Sequence, residues 1–200
     1  MNTKSDIKSF VGKKINILLA EADFSAGKAA LAGLRRGVGH EPGELPQLFG
    51  TILMDLPENL MSQSGVPTRA EWSIYIALTL YAMHQQGFDA KSKSMHTDDN
   101  VSMGTALAKM AKASEDANAE GRMLQKLRAF ATSVDMKEAF YHLKHMIQLL
   151  CSKGISINYV RLSADLYEFQ FTEERNHVNL RWGQDFYREM YSKETKEELS

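Results

Sequence analysis

Apolar residues recur every three or four positions along most of this chain, and no run alternates apolar and polar residues long enough for a sheet. The pattern predicts helices over 4–22 and 26–36, the second ending at Gly37-Val38-Gly39 as a C-cap. Pro42, Pro46 and Pro57 punctuate a short helix near Leu45–Leu56. Thr68-Arg69-Ala70-Glu71 has capping-box spacing and opens a helix to about Gln86. That helix is apolar nearly all round, so it should be the central core helix. Gly87–Asn100 holds almost no large apolar residue and reads as an exposed loop. Ser102 caps a helix to about Ala113, and others follow near Asn118–Thr132 and Asp135–Ser152, the latter stopped by Gly154. Asn158 and Thr172 cap the last two, near Tyr159–Phe171 and Glu173–Ser192, before a frayed tail, KETKEELS. The expected fold is all-α: a compact helical bundle in one domain, 1–200, with the 87–100 loop as the place for an internal boundary between two helical halves. Trp182, Phe186, Tyr187 and Met190, at i, i+4, i+5 and i+8, read as a core stripe. Eleven methionines suit adaptable packing or a surface that docks on partners.

Charge changes this picture by where it sits. The net charge of −1 argues against tight binding of free nucleic acid. Yet residues 101–164 hold nine Lys and Arg against five Asp and Glu, while 51–100 hold three against six. A neutral chain with a positive face can contribute contacts inside a larger assembly. Cys151 is the only cysteine, which excludes an internal disulfide and fits a reducing cytoplasm. The first ten residues lack the apolar core of a signal peptide. The longest apolar run, Trp72–Met83, is too short to span a bilayer, so no membrane role is expected.

No catalytic constellation is evident. His142 and His145 lie three apart, whereas a zinc-protease helix needs H-E-x-x-H with a glutamate between i,i+4 histidines. Asp98-Asp99, like Glu21 and Asp23, reads as a solvated acidic pair. There is no G-x-S-x-G elbow and no G-x-x-x-x-G-K-[ST] phosphate loop. The chain is expected to be no enzyme, with no catalytic residue, metal or cofactor. What remains is a set of cations on helices. Arg35 and Arg36 close the second helix, where a cation can satisfy the last carbonyls or face outward to a phosphate. Arg122 and Lys126 are i,i+4 neighbours on one exposed face, and Arg128 lies two residues on. A solvated surface and a phosphate-holding face both fit them.

Four segments, in order, resemble the small subunit of the type I-E CRISPR surveillance complex Cascade, the CasB family. They are ALAGLRRGVGHEPGELPQLF at Ala30–Phe49, SMGTALAKM at Ser102–Met110, GRMLQKLRA at Gly121–Ala129 and LRWGQDFYR at Leu180–Arg188. The first is similar to the family's L-R-R segment with its Pro-containing turn, the second to its S-L-G-x-A-L-A helix. The third is similar to a basic R-x-x-Q-L-x-R-A helix, the last to the aromatic terminal helix. The resemblance implies a non-catalytic, all-helical cytoplasmic protein of antiviral defence. Its partners would be the backbone subunits, the large subunit and a second copy of itself. It would hold the R-loop by contacting target DNA and the displaced strand, with guide RNA nearby. By position, Arg35, Arg36, Arg122 and Arg128 match family basic residues, and Arg69 lies near another. Thr105 stands where some members have arginine, which implies that this phosphate contact is either absent or moved to Lys109. Glu138–His142 is less basic than in some members. An adaptor that bridges protein subunits, its arginines serving as caps and ion pairs, is the competing reading; a metal-dependent hydrolase is a third.

Overall fold

The computed structural model describes residues 2–192; the KETKEELS tail lies outside the described residues. Among these the chain forms nine α-helices: α1 (Thr3–Ala20), α2 (Ser25–Arg36), α3 (Phe49–Ile52), α4 (Arg69–His84), α5 (Met103–Lys112), α6 (Ala119–Ala131), α7 (Met136–Lys153), α8 (Tyr159–Phe169) and α9 (Thr172–Met190). The fold is all-α. One apolar cluster takes buried residues from Ile7 to Phe186, on both sides of the 87–100 segment. Among the described residues no helix is long and apolar enough to cross a membrane.

The central helix is α4. Thr68 Oγ1 accepts from the Glu71 N–H (3.0 Å), and the Glu71 carboxylate accepts from the Thr68 N–H (2.7 Å), so the capping box forms. Every residue from Ile74 to Ala82 is buried, and the helix packs on α1, α2, α7 and α8. Two of its buried hydroxyls bond within the helix: Ser73 donates to the Ala70 carbonyl and Thr79 to that of Tyr75. The α1 face of Ile7, Phe10, Val11, Ile15 and Leu18 lies against α4 and α8.

The second contact region is α5 on α9. A Cβ at Gly104 would sit 2.0 Å from the Trp182 carbonyl oxygen, so the two backbones meet at a point only glycine allows. Beside it, Phe130 of α6 stacks between Phe169 of α8 (centroids 4.3 Å apart) and Trp182 of α9 (4.6 Å). The Trp182 indole N–H donates to buried Asp165 (2.8 Å), whose other oxygen accepts from Arg181 (2.9 Å). Arg181 also reaches Glu168, which Lys4 of α1 pairs with. Arg161 pairs with Asp185. These ion pairs tie α1, α8 and α9 at the margin of the core.

Several boundaries differ from those the sequence predicts. The 45–56 helix is a 3-10 turn at Pro46–Leu48 running into α3, with another 3-10 turn at Glu58–Leu60. Gly37 ends α2 in right-handed geometry (φ −69°); the left-handed residue is Gly39 (φ 94°). Asn118 gives no side-chain cap to α6; the Asp116 carboxylate accepts from its N–H instead (2.8 Å). Phe171, not Thr172, precedes α9, and no side chain caps it. The 87–100 loop is not wholly exposed. Met95 is fully buried, Gln85 bonds the backbone at Phe88, Lys93 and Met95, and His96 pairs with Ile157 in an isolated parallel bridge. Gln85 lies on the final turn beyond α4, so the polar composition of the loop concealed an anchor set outside it.

Candidate nucleic-acid interface

At the end of α2, Arg35 is half-buried and Arg36 exposed. Gly37 lets the chain close against α4: a Cβ there would come within 3 Å of the Tyr75 hydroxyl, Leu48 and Thr79. The Tyr75 hydroxyl donates to the Gly37 carbonyl (2.9 Å), and burial, with the Glu44 carboxylate nearby, pushes its phenol up to about 12. That hydroxyl supplies the local carbonyl cap. Neither guanidinium bonds or pairs with another group among the described residues. Arg35 edges a cleft of about 300 Å³ that also carries Lys28 and the carboxylates of Asp23 and Asp89.

On α6 the apolar side of Met123, Leu127 and Phe130 faces the core, and that register sets the cations outward. Arg122 and Lys126 share a groove of about 350 Å³ between α6 and α7. Arg128 does not join them; it edges a smaller hollow with Asn179 and Trp182 of α9. Lys109 is exposed on α5. Arg69 is exposed as the first residue of α4, its guanidinium 4.5 Å from the ring centre of Phe171. The seven cations thus occupy four helices, and the one grouping among them is Arg122 with Lys126.

Their engagement separates them from the other arginines. Arg161, Arg175, Arg181 and Arg188 are all spent internally, on Asp185, on the Phe169 and Ser133 carbonyls, on Asp165 and Glu168, and again on Asp185. Arg35, Arg36, Lys109, Lys126 and Arg128 have no carboxylate partner among the described residues. Arg122 is the exception, paired with Asp116.

The sequence model of the CRISPR-associated protein Cse2 family matches residues 30–187. The chain belongs to this family. Its fold is similar to the crystal structure of CasB from Thermobifida fusca: 26% identity, TM-score 0.74, covering 91% of this chain and 98% of that one. It is also similar to a Cse2-family CRISPR-associated protein from Thermus thermophilus, at 21% identity and TM-score 0.65, covering 88% and 97%. No curated protein matches the sequence. Membership of the Cse2 family implies membership of a CRISPR effector complex, and the matched span contains all seven cations.

Two surface features of this Cse2-family chain escape a reading by helical period. Tyr187, expected in the core stripe with Trp182 and Phe186, is exposed and stacks parallel to Tyr191. It follows the buried Phe186 by one residue, about 100° round the helix. Tyr141 is 60% exposed on α7 and packs on His145 (centroids 4.3 Å) and His142 (5.4 Å). The signal was present: Tyr141 follows buried Phe140 and falls outside the 139–140–143–146–147–150 face. His142 and His145 flank this ring, and no group of three or more His, Cys, Asp or Glu able to hold a metal forms among the described residues.

Proposed function

We propose that this chain is a non-catalytic subunit of a type I-E Cascade complex. It stabilises the R-loop of guide RNA and target DNA through sequence-independent backbone contacts, in antiviral defence in the cytoplasm. Its neighbours are the backbone subunits, the large subunit and a second copy of itself. The contacts fall on target DNA and the displaced strand, with guide RNA nearby.

One observation carries this reading. Within a Cse2-family fold, Arg35, Arg36, Lys109, Lys126 and Arg128 have no internal partner among the described residues, Arg122 pairs with Asp116 and Arg69 lies on the Phe171 ring, while Arg161, Arg175, Arg181 and Arg188 are held by carboxylates or carbonyls. Arg and Lys so presented neutralise phosphates and release counterions without reading bases. Backbone contacts matter because R-loop formation exchanges one duplex for another of similar stability, so a small surplus tips it. The adaptor reading draws on one contact, Arg122 with Asp116, in which the guanidinium serves as a local ion pair.

The test changes Arg35, Arg36, Arg122 and Arg128 together to alanine in the assembled complex. These side chains are exposed or half-buried, so folding and subunit stoichiometry should hold. At about 0.5–1 kcal/mol per contact, removing four in each of two copies should lower target affinity more than tenfold. The defect should shrink on negatively supercoiled targets, since supercoiling also supplies opening energy. Unchanged R-loop yield on linear DNA with full assembly would favour the adaptor. Metal-dependent cleavage by the pure subunit, abolished by a point change in this chain, would overturn the non-catalytic part.

A further inference from the structure

The α6–α7 groove sets two cations beside an aromatic ring that is itself exposed, Tyr141, whereas Trp182 beside Arg128 is buried and Phe171 beside Arg69 is half-buried. We propose that this groove seats an unpaired nucleotide, its base stacked on Tyr141 and its phosphates held by Arg122 and Lys126. The inference rests on the reading of the chain as a nucleic-acid-holding subunit and adds that one site takes single strands in particular.

Three observations converge. Tyr141 is 60% exposed, so much of its apolar ring meets water unless something covers it. Its neighbours hold that ring in place. The His145 ring packs 4.3 Å from it, centroid to centroid, and the His145 Nδ1–H donates to the Tyr141 carbonyl (2.8 Å), while His142 meets it edge-on. A face fixed before binding loses little freedom on stacking. Finally, the same groove presents Arg122, Lys126 and the amide of Gln125. A planar uncharged ligand with an anionic backbone on one side satisfies all of these, and an unpaired nucleotide has that form. Base-on-aromatic stacking with cationic tracking of the backbone is how single strands are held without sequence preference. A paired duplex keeps its bases stacked inside and offers the ring nothing but sugar and phosphate.

The experiment titrates the full chain at low salt, by fluorescence anisotropy, against four probes of one length. They are a single-stranded DNA, a single-stranded RNA of the same sequence, an abasic DNA strand and a DNA duplex. Wild type should bind a base-bearing strand about tenfold more tightly than the abasic strand. The DNA and RNA arms say which strand carries that gain. Tyr141→Ala should erase the gain and leave abasic and duplex binding unchanged; Tyr141→Phe should keep it. Arg122→Ala with Lys126→Ala should weaken all probes. A 2-aminopurine base in the strand should be quenched by wild type and Tyr141→Phe, and not by Tyr141→Ala. Equal affinity of wild type for base-bearing and abasic strands overturns the inference. So does loss of subunit stoichiometry in Tyr141→Ala with every oligonucleotide affinity unchanged, which would make the ring a protein contact. If the base-dependent gain is absent while the four-arginine variant still loses R-loop yield, the groove inference falls and the functional reading stands. The reverse pattern separates them the other way.

Discussion

His84 is buried at the end of α4 with one ring nitrogen satisfied and the other bare. The Tyr159 hydroxyl donates to the Leu80 carbonyl (3.3 Å), so the His84 Nδ1–H donates to the Tyr159 oxygen (2.9 Å), and Nε2 has no partner. Burial pushes the imidazole from its ordinary 6.5 down to about 4. The unfolded chain then binds the proton more readily between those values. Stability is full above about 6.5 and falls as pH drops towards 4, by on the order of 3 kcal/mol from this group. Carboxylates titrate over part of the same range, so the measurement is a difference: urea midpoints at pH 7 and 4.5 for wild type and His84→Gln. The variant, lacking the titrating ring, should lose less between the two. Equal losses would mean that His84 does not set the acid limit. Neighbours fixed this group in ways the sequence could not show, for Tyr159 lies 75 positions away. Tyr187 shows the opposite difficulty: at one position from buried Phe186, a helical stripe is too coarse to say which way a ring turns.

Start signals written in short side chains were the most legible part of the helices. Thr68, Ser102, Asp135 and Asn158 each accept from a backbone N–H at the turn they open. Gly154 closes α7 in left-handed geometry (φ 58°), as its position after the last apolar residue predicted. Thr172 failed as a cap because Phe171 holds the extended conformation there and the helix begins on Thr172 itself. The short helix expected over 45–56 forms only as α3, Phe49–Ile52, behind a 3-10 turn that opens on Pro46, whose fixed φ suits a first turn. Packing between helices was less legible, and Gly104 is the clearest case. Gly104→Ala would push a methyl into the Trp182 carbonyl, so α5 must lift from α9, at about 3 kcal/mol. Gly121 on α6 has nothing within 4 Å of an added Cβ. Gly121→Ala should therefore stabilise by up to about 1 kcal/mol through helix propensity. Thermal unfolding should show Gly104→Ala lowered by roughly 6–12 °C and Gly121→Ala raised by a few degrees. Matching shifts of one sign would refute the α5–α9 contact as described.

The fold class of the whole molecule followed from its periodicity, and its family from four ordered segments, because both are written along the chain. The distribution of its cations over four separate helices was not, since it depends on which carboxylates the fold brings near which arginines. Asp165 and Asp185 reach Arg181 and Arg161, and that leaves Arg35, Arg36 and Arg128 for something else. Binding by the assembled complex should accordingly weaken with salt and tolerate any target backbone sequence. Alanine at Arg35, Arg36 and Arg128 should flatten the log-affinity against log-salt slope by up to about 0.9 for each phosphate no longer neutralised. An unchanged slope would mean that these side chains do not meet phosphate.

The packing of α1 on α8 has a consequence for how the chain is made. The apolar side of α1 leaves the ribosome well before α8, which follows roughly 140 residues later. At about 5–20 residues per second, Ile7, Phe10, Val11, Ile15 and Leu18 wait some 7–30 s for that helix. Stalled nascent chains ending near residue 155 should therefore be cut by protease within α1 or captured by chaperones. Nascent chains extended past α8 should resist both, so a helix made late guards one made long before it.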